Sequence, residues 1–516
     1  MYPGAHISTS PDKPAVTLVD TGVTLTYAQL EERSTRLSNA FRDAGLAPGD
    51  VVALLSTNDV RVFEVYWACL RTGLYLTPVN FHLTAAEAGY ILADCGASAL
   101  VVSADLAELA RGAVAEVPQL TKRFAYGGEV AGFRAYEALV ASGSPEAPAD
   151  QPRGADMLYS SGTTGRPKGI KPLLPQRQVG SPGDPYVGAF GTTYEMNADT
   201  VYFSPAPLYH AAPLRFGMIV QALGGTVLIS RGFDAAQCLR VIDDFSVTHS
   251  QWVPTHFVRM LRLPEEIRQA YDLSSQRYVI HAAAPCPVEV KHQMVEWFGP
   301  VLHEYYSSTE ANGITMISTA EWLARPGSVG TATLGVLHIC TDDGQEVPPG
   351  EPGLVYFERD EMPFAYHRDP EKTAAARHPS HPTWSTCGDI GHLDSDGYLY
   401  LRDRQAFTII SGGVNIYPQE IEDCLTLHPA VFDVAVLGVP DADFGESVLA
   451  AIQLNPNEPA DDSTRGALLA YLRPRIAGYK MPRRIEFVQC LPRSAAGKLT
   501  KGALRQQFSS VERTSS

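Results

Sequence analysis

The sequence predicts an α/β fold with a large N-terminal part and a compact C-terminal unit, on three observations. Strand and helix patterns alternate through the first hundred residues. A second series of short apolar strands follows between residues 200 and 285. From about residue 330 the texture shifts to short β patterns with Gly and Pro turns, and after Pro418 to helix–strand–helix. Strands alternating with helices point to a largely parallel sheet.

In chain order, residues 26–45 read as a helix with Thr26 as N-cap and Gln29 completing a capping box. Leu30, Leu37, Phe41 and Ala44 share one face, and Gly45 is a natural stop. Residues 50–56 ("DVVALLS") read as a buried strand, 62–73 as a second amphipathic helix, and 99–104 as another strand. The later strands are 200–207, 224–230, 248–255 and 277–285, each ending at a small or turn residue. Ligands in open α/β sheets bind at the carboxyl ends of strands. That makes His210, Trp252, Ala282, Ala283 and Ala284 candidate walls of one cleft, the alternative being ordinary core. The tail "QEIEDCLTLHPAV…DVAVLGVPD…TRGALLAYLRPRIAG" reads as a unit of about 110 residues. The boundary falls between Asp403 and Arg404, giving domains 1–403 and 404–516.

Composition narrows the function classes. Charged residues make up 19% of the chain, apolar residues 45%, and the net charge is −16, which argues against nucleic acid or an anionic membrane as main partner. Eight scattered cysteines without a C-x-x-C pair argue against zinc and disulfides and for a reducing compartment. No signal-peptide pattern opens the chain and no transmembrane run occurs, so a cytoplasmic protein is expected.

The stretch "SSGTTGRPKG" combines Ser160, Ser161, Gly162, Thr163, Thr164, Gly165, Arg166 and Lys168. Hydroxyls, flexible backbone and local cations suit a phosphate chain, yet the spacing is not that of a Walker loop. Four further stretches follow in order: "HEYYSSTEANG" (303–313), "STCGDIGHLDSDGYLYLRDR" (385–404), "ISGGVNIYPQEIE" (410–422) and "PRSAAGK" (492–498). Together, and across essentially the whole chain, they resemble the ordered motifs of the adenylate-forming superfamily, which includes acyl- and aryl-CoA synthetases.

The resemblance implies a multi-subdomain N-terminal α/β domain and a small mobile C-terminal α/β domain with the site at their junction. It implies an AMP-forming acid:CoA ligase: a carboxylate attacks the α-phosphate of ATP, and a thiol then displaces AMP. Both reactants of the first step are anions, so catalysis rests on positioning and on cations aimed at developing charge. By the same resemblance, the Ser160–Lys168 loop wraps the β- and γ-phosphates, and Thr309 and Glu310 serve the α-phosphate and Mg²⁺. Tyr306 stacks on adenine, Asp389 accepts the ribose hydroxyls with Arg404 beside it, and His210 gates the carboxylate pocket. Lys498 reaches the reacting carboxylate, and the Gly412–Gly413 turn lines the coenzyme A channel after the small domain rotates. The implied partners are a small carboxylic acid, ATP and coenzyme A, with a homodimer left open.

Two departures stand out. Ala406 and Phe407 occupy hinge positions where the family usually carries Lys or Asp and then Asp, and Ser307 replaces a common Gly. An aromatic at the hinge is positioned to pack against one domain and bias its rotation. Three alternatives therefore stay open: a carrier-protein acceptor, a stand-alone acyl-AMP ligase, and competence in only one half-reaction. Ala211, Ala212, Ala282, Ala283 and Ala284 hint at room for a bulky acid, whose identity the sequence does not disclose.

Overall fold

The computed structural model describes residues 1–160, 167–441, 443–493, 499 and 501–510. The expectations on Ser161, Gly162, Thr163, Thr164, Gly165, Arg166 and Lys498 lie outside the described residues.

Helix Tyr27–Asp43 starts at a Thr26–Gln29 capping box, buries Leu30, Leu37 and Phe41, and ends before Gly45 at φ 82°. Strand Val51–Leu55 is buried throughout and pairs in parallel with Tyr75–Val79 and Ala97–Ser103. These belong to a six-stranded sheet whose pairings are all parallel. Continuous Val, Leu and Ala runs are the expected composition for strands covered on both faces.

A nine-stranded sheet forms the second layer. Its centre is parallel and runs Leu302–Ser307, Tyr278–His281, His249–Trp252, Val201–Ser204, Thr226–Ile229 and Pro14–Leu18. Antiparallel strands close both edges: Ile314–Ile317 and Thr331–Leu334 on one side, Val23–Thr26 on the other. One extended hydrophobic cluster, with Trp67, Phe63, Leu214, Ile219 and Val227 inside, joins this sheet to the first. A four-stranded antiparallel sheet follows from residue 336, matching the expected shift to short β patterns.

The C-terminal part is built on its own sheet. Along strand Val431–Asp441, Val434 and Val436 enter one core cluster while Ala435, Leu437 and Val439 enter another on the opposite face. That period-two division is the signature of a strand buried on both sides. The sheet also contains Gly445–Leu454 and Arg484–Phe487, which the helix–strand–helix reading of the tail lacks. A short apolar run such as "SVLAAIQL" suits helix and strand equally by periodicity, and pairing decides it. Among the described residues, no helix is long and apolar enough to cross a membrane.

Candidate active site

Five parallel strands of the nine-stranded sheet point their carboxyl ends at one cleft of about 1960 Å³. The loops that leave them supply Pro205 and His210, Gly232, Val253, Ala282–Ala284, and Thr309 with Glu310. The cleft therefore sits where the strand-end argument places it. Trp252 reaches it too, but the residue is only 1% exposed and its indole N–H donates to Ser250 Oγ at 2.8 Å. Most of Trp252 is thus core. His210 caps helix Ala211–Ala222 at the cleft rim, its ring 4.3 Å from that of Tyr209.

The centre of the cleft is organised around Asp389. The antiparallel register of Trp384–Leu393 and Leu399–Arg404 sets Asp389 opposite Arg404. Arg404 Nε then donates to Asp389 Oδ1 at 3.1 Å. On the other oxygen, Tyr306 donates its phenol to Oδ2 at 2.7 Å from strand Leu302–Ser307. A carboxylate has about four acceptor positions, so two partners leave room for two more donors. The Arg404 guanidinium is held above its ordinary pKa, chiefly by Asp389, and burial together with Asp389 pushes the Tyr306 phenol far up. The Tyr306 ring lies 6.2 Å from Phe357 at 29° and faces the cleft.

Glu310 is anchored by a residue absent from the motif reading. Tyr366 donates its phenol to Glu310 Oε1 at 2.8 Å. Sequence carries one indirect signal for that residue: Asp369 and Pro370 mark a helix start just beyond it, at Pro370–Ala375. The loop after Glu310 is tied down by Asn312, which accepts from Ser308 Oγ at 2.8 Å and donates to the Ser385 carbonyl at 3.3 Å. Ala311 at φ 54° and Ala283 at φ 77° both line the cleft in the left-handed region. Such backbone costs roughly 1–3 kcal/mol each and persists where the surroundings impose it.

Ser160 and Lys168 face each other as partners in the hairpin Leu158–Ser160 and Lys168–Lys171, and both line the cleft. The loop they flank lies outside the described residues. Glu310 Oε2 and the Thr309 hydroxyl are hard oxygen donors at the rim, a set that fits Mg²⁺ completed by phosphate oxygens and water. No cluster of three or more His, Cys, Asp or Glu side chains able to hold a metal occurs among the described residues.

The opposite wall comes from the C-terminal part. Arg493 and Leu499, which bracket the segment containing Lys498, line the cleft together with Lys501, Glu422 and Asp423. Gly412 and Gly413, at φ 59° and 81°, form a hairpin tip that is not part of the cleft wall in this arrangement. Ala406 sits in the short turn Gln405–Phe407. Phe407 packs against the Lys501 ammonium at 5.3 Å, and Lys501 is itself paired with Glu422 at 2.8 Å.

Residues 5–366 match the AMP-binding enzyme family, and residues 420–498 match the AMP-binding enzyme C-terminal domain. The chain is 34% identical over 499 residues to feruloyl-CoA synthase of an Amycolatopsis species, covering 94% of each chain. Among solved structures it resembles ATP-bound MatB from Rhodopseudomonas palustris, with a TM-score of 0.80, 26% identity, and coverage of 99% and 100%. It also resembles the amide bond synthetase McbA from Marinactinospora thermotolerans, with a TM-score of 0.81, 26% identity, and coverage of 98% and 99%. Fold, strand-end cleft and family match agree: the chain belongs to the AMP-binding enzyme family and has the adenylate-forming fold.

Proposed function

We propose that this enzyme is an AMP-forming acid:CoA ligase, using the cleft for both half-reactions. A carboxylate oxygen of the acid bonds to the α-phosphorus of ATP while the bond to the β-phosphate oxygen breaks and pyrophosphate leaves. The sulfur of coenzyme A then bonds to the acyl carbon as its thiol proton is lost to solvent, and the acyl carbon–oxygen bond breaks so that AMP departs with the electron pair. The observation that carries the reading is Asp389, held at both oxygens by Tyr306 and Arg404 beside Glu310.

In this reading Asp389 spends its remaining acceptor capacity on the two ribose hydroxyls, with Arg404 paired beside it. The Tyr306 ring flanks the adenine. Ser160 and Lys168 set the two ends of the loop that holds the outer phosphates. Glu310, fixed by Tyr366, and Thr309 would hold Mg²⁺, which when bound supplies charge neutralisation at the phosphates. Lys498 delivers a mobile positive charge to the reacting oxygens. The C-terminal unit, beginning near Arg404, then turns about Ala406 so that Gly412 and Gly413 line the thiol channel, where absent Cβ atoms permit close approach. A cytoplasmic setting belongs to the same reading, and eight free cysteines suit a reducing compartment. Every residue it uses comes from one chain.

Feruloyl-CoA synthase, whose named product is a CoA thioester, supports coenzyme A as acceptor. The resemblance to an amide bond synthetase supports a second reading, in which the acyl-adenylate passes to an amine. Mass spectrometry of products formed from ATP, a panel of acids and either coenzyme A or an amine separates the two. Acyl-CoA with stoichiometric AMP is expected; amide without acyl-CoA would replace the first reading by the second.

A further inference from the structure

One wall of the cleft is left unused by the chemistry above. The first turns of helix Ala211–Ala222 put Ala211, Ala212, Pro213, Arg215 and Phe216 on the cleft, while Leu214 and, further along, Met218 and Ile219 are buried. Arg215 is the helix's single charged residue, and it enters a wall of aromatic rings. Its guanidinium lies 4.8 Å from the Tyr186 ring. Phe190 and Phe216 both pack on Tyr305, at 5.1 and 5.8 Å, and all four rings border the same cleft.

The hydrogen bonding of Arg215 is incomplete. Nε donates to Asp156 Oδ2 at 2.8 Å, and the two side chains are 12% and 9% exposed. Among the described residues, Nη1 and Nη2 make no hydrogen bond. Neither is among the buried atoms left without a partner, so both open onto the cleft, where water or a ligand oxygen can accept from them. Because Asp156 already neutralises the charge, a second buried carboxylate would have no counter-ion of its own here. A neutral oxygen acceptor meets the need without that penalty.

Position sets which end of the acid is read. Arg215 lies five residues into the helix from His210, about 7.5 Å along its axis. If the reacting carboxylate sits near His210 and Thr309, Arg215 meets the far end of the acid, with rings on either side of the path. We propose that Arg215 is a specificity-determining residue, and that the acid is aromatic with a neutral oxygen substituent, a hydroxyl or ether, accepted by its Nη groups. This rests on the acid-ligase reading above.

The test compares kcat/KM for pyrophosphate release by the full chain on acids differing in one ring oxygen. The pairs are 4-hydroxybenzoate with benzoate and 4-hydroxycinnamate with cinnamate, with octanoate and terephthalate alongside. The oxygenated member of at least one pair should exceed its parent, octanoate and terephthalate by about tenfold or more, since a site built to hydrogen-bond a substrate group discriminates strongly against analogues lacking it. In the Arg215→Met/Asp156→Asn double variant, which leaves no lone buried charge, that ratio should collapse to within about threefold of unity. Both acids of a pair are measured on one preparation, so any misfolded fraction cancels from the ratio. Equal rates within both pairs for the unaltered enzyme, preference for octanoate or terephthalate, or a ratio that survives in the double variant would each overturn the assignment while leaving the ligase reading standing. Failure of every acid to release pyrophosphate would overturn both.

Discussion

The two walls of the cleft differ in how their polar groups are held. On the large-domain side, three of the proposed functional side chains lean on others that are distant in sequence. Asp389 leans on Tyr306 across 83 residues, Glu310 on Tyr366 across 56, and Arg215 on Asp156 across 59. On the C-terminal side, Lys501 is already committed to Glu422, and attachment to the large domain includes lighter contacts. Arg262 donates to the backbone carbonyls of Val431 and Phe432 at 2.8 and 3.3 Å, and Gln405 donates to Asp342 at 3.0 Å. Contacts of that kind contribute about 0.5–1.5 kcal/mol each, so the proposed rotation would exchange them at little cost. The wall around Asp389 and Glu310 is held by side chains from distant parts of the chain, which suits the proposed nucleotide site, and the opposing wall rests in part on lighter contacts, which suits the proposed rotation.

The largest expected effect comes from breaking the organised wall at its centre. Asp389→Ala removes the proposed acceptor for the ribose and leaves Arg404 without its partner. A loss of about a hundredfold or more in kcat/KM for ATP is expected, measured by pyrophosphate release, from two charge-assisted hydrogen bonds at about 1.5–3 kcal/mol each. An unchanged value would separate Asp389 from the nucleotide. Tyr366→Phe is the next step down. It deletes one hydrogen bond to Glu310 without touching the substrates. About a tenfold rise in the Mg²⁺ concentration needed for half-maximal rate is expected. A purely structural role would lower thermal stability and leave the Mg²⁺ dependence where it was.

The smallest effect concerns the C-terminal wall. Burial pushes the Asp423 carboxyl up to about 7, with Gln419 donating to it and with Glu422, Asp403 and Lys501 as its charged neighbours. Its folded pKa lies above the ordinary 3.8, so its stabilising contribution is complete below about pH 4 and lost as pH rises through about 7. Between pH 5 and pH 8 the melting temperature of the unaltered chain should therefore fall relative to that of Asp423→Asn. Parallel curves would show that Asp423 is not held neutral.

Much of this architecture is legible in the sequence because it is local. The Thr26–Gln29 capping box, the buried strand Val51–Leu55 and the strand-end loops at His210 and Ala282–Ala284 all follow from periodicity and turn chemistry. The cross-strand meeting of Asp389 and Arg404 is also near in sequence, 15 residues apart. Tyr366 and Arg215 escape local reading. Tyr366 lies in a two-residue strand, and Arg215 in a helix with no other charged residue, where a lone arginine looks like a surface tip. Their partners come from other layers of the fold, and no window of sequence contains both members. Trp252 shows the reverse: a residue at the right strand end spends most of its surface in the core.

The central claim is that one cleft serves two half-reactions by exchanging its C-terminal wall. Lys498→Ala tests it most directly, with the halves measured separately: pyrophosphate release from acid plus ATP, and acyl-CoA formation from preformed acyl-AMP plus coenzyme A. The account predicts that the first falls by about a hundredfold or more while the second stays within a fewfold of the unaltered enzyme. Equal loss in both halves, or an undiminished first half, would contradict it.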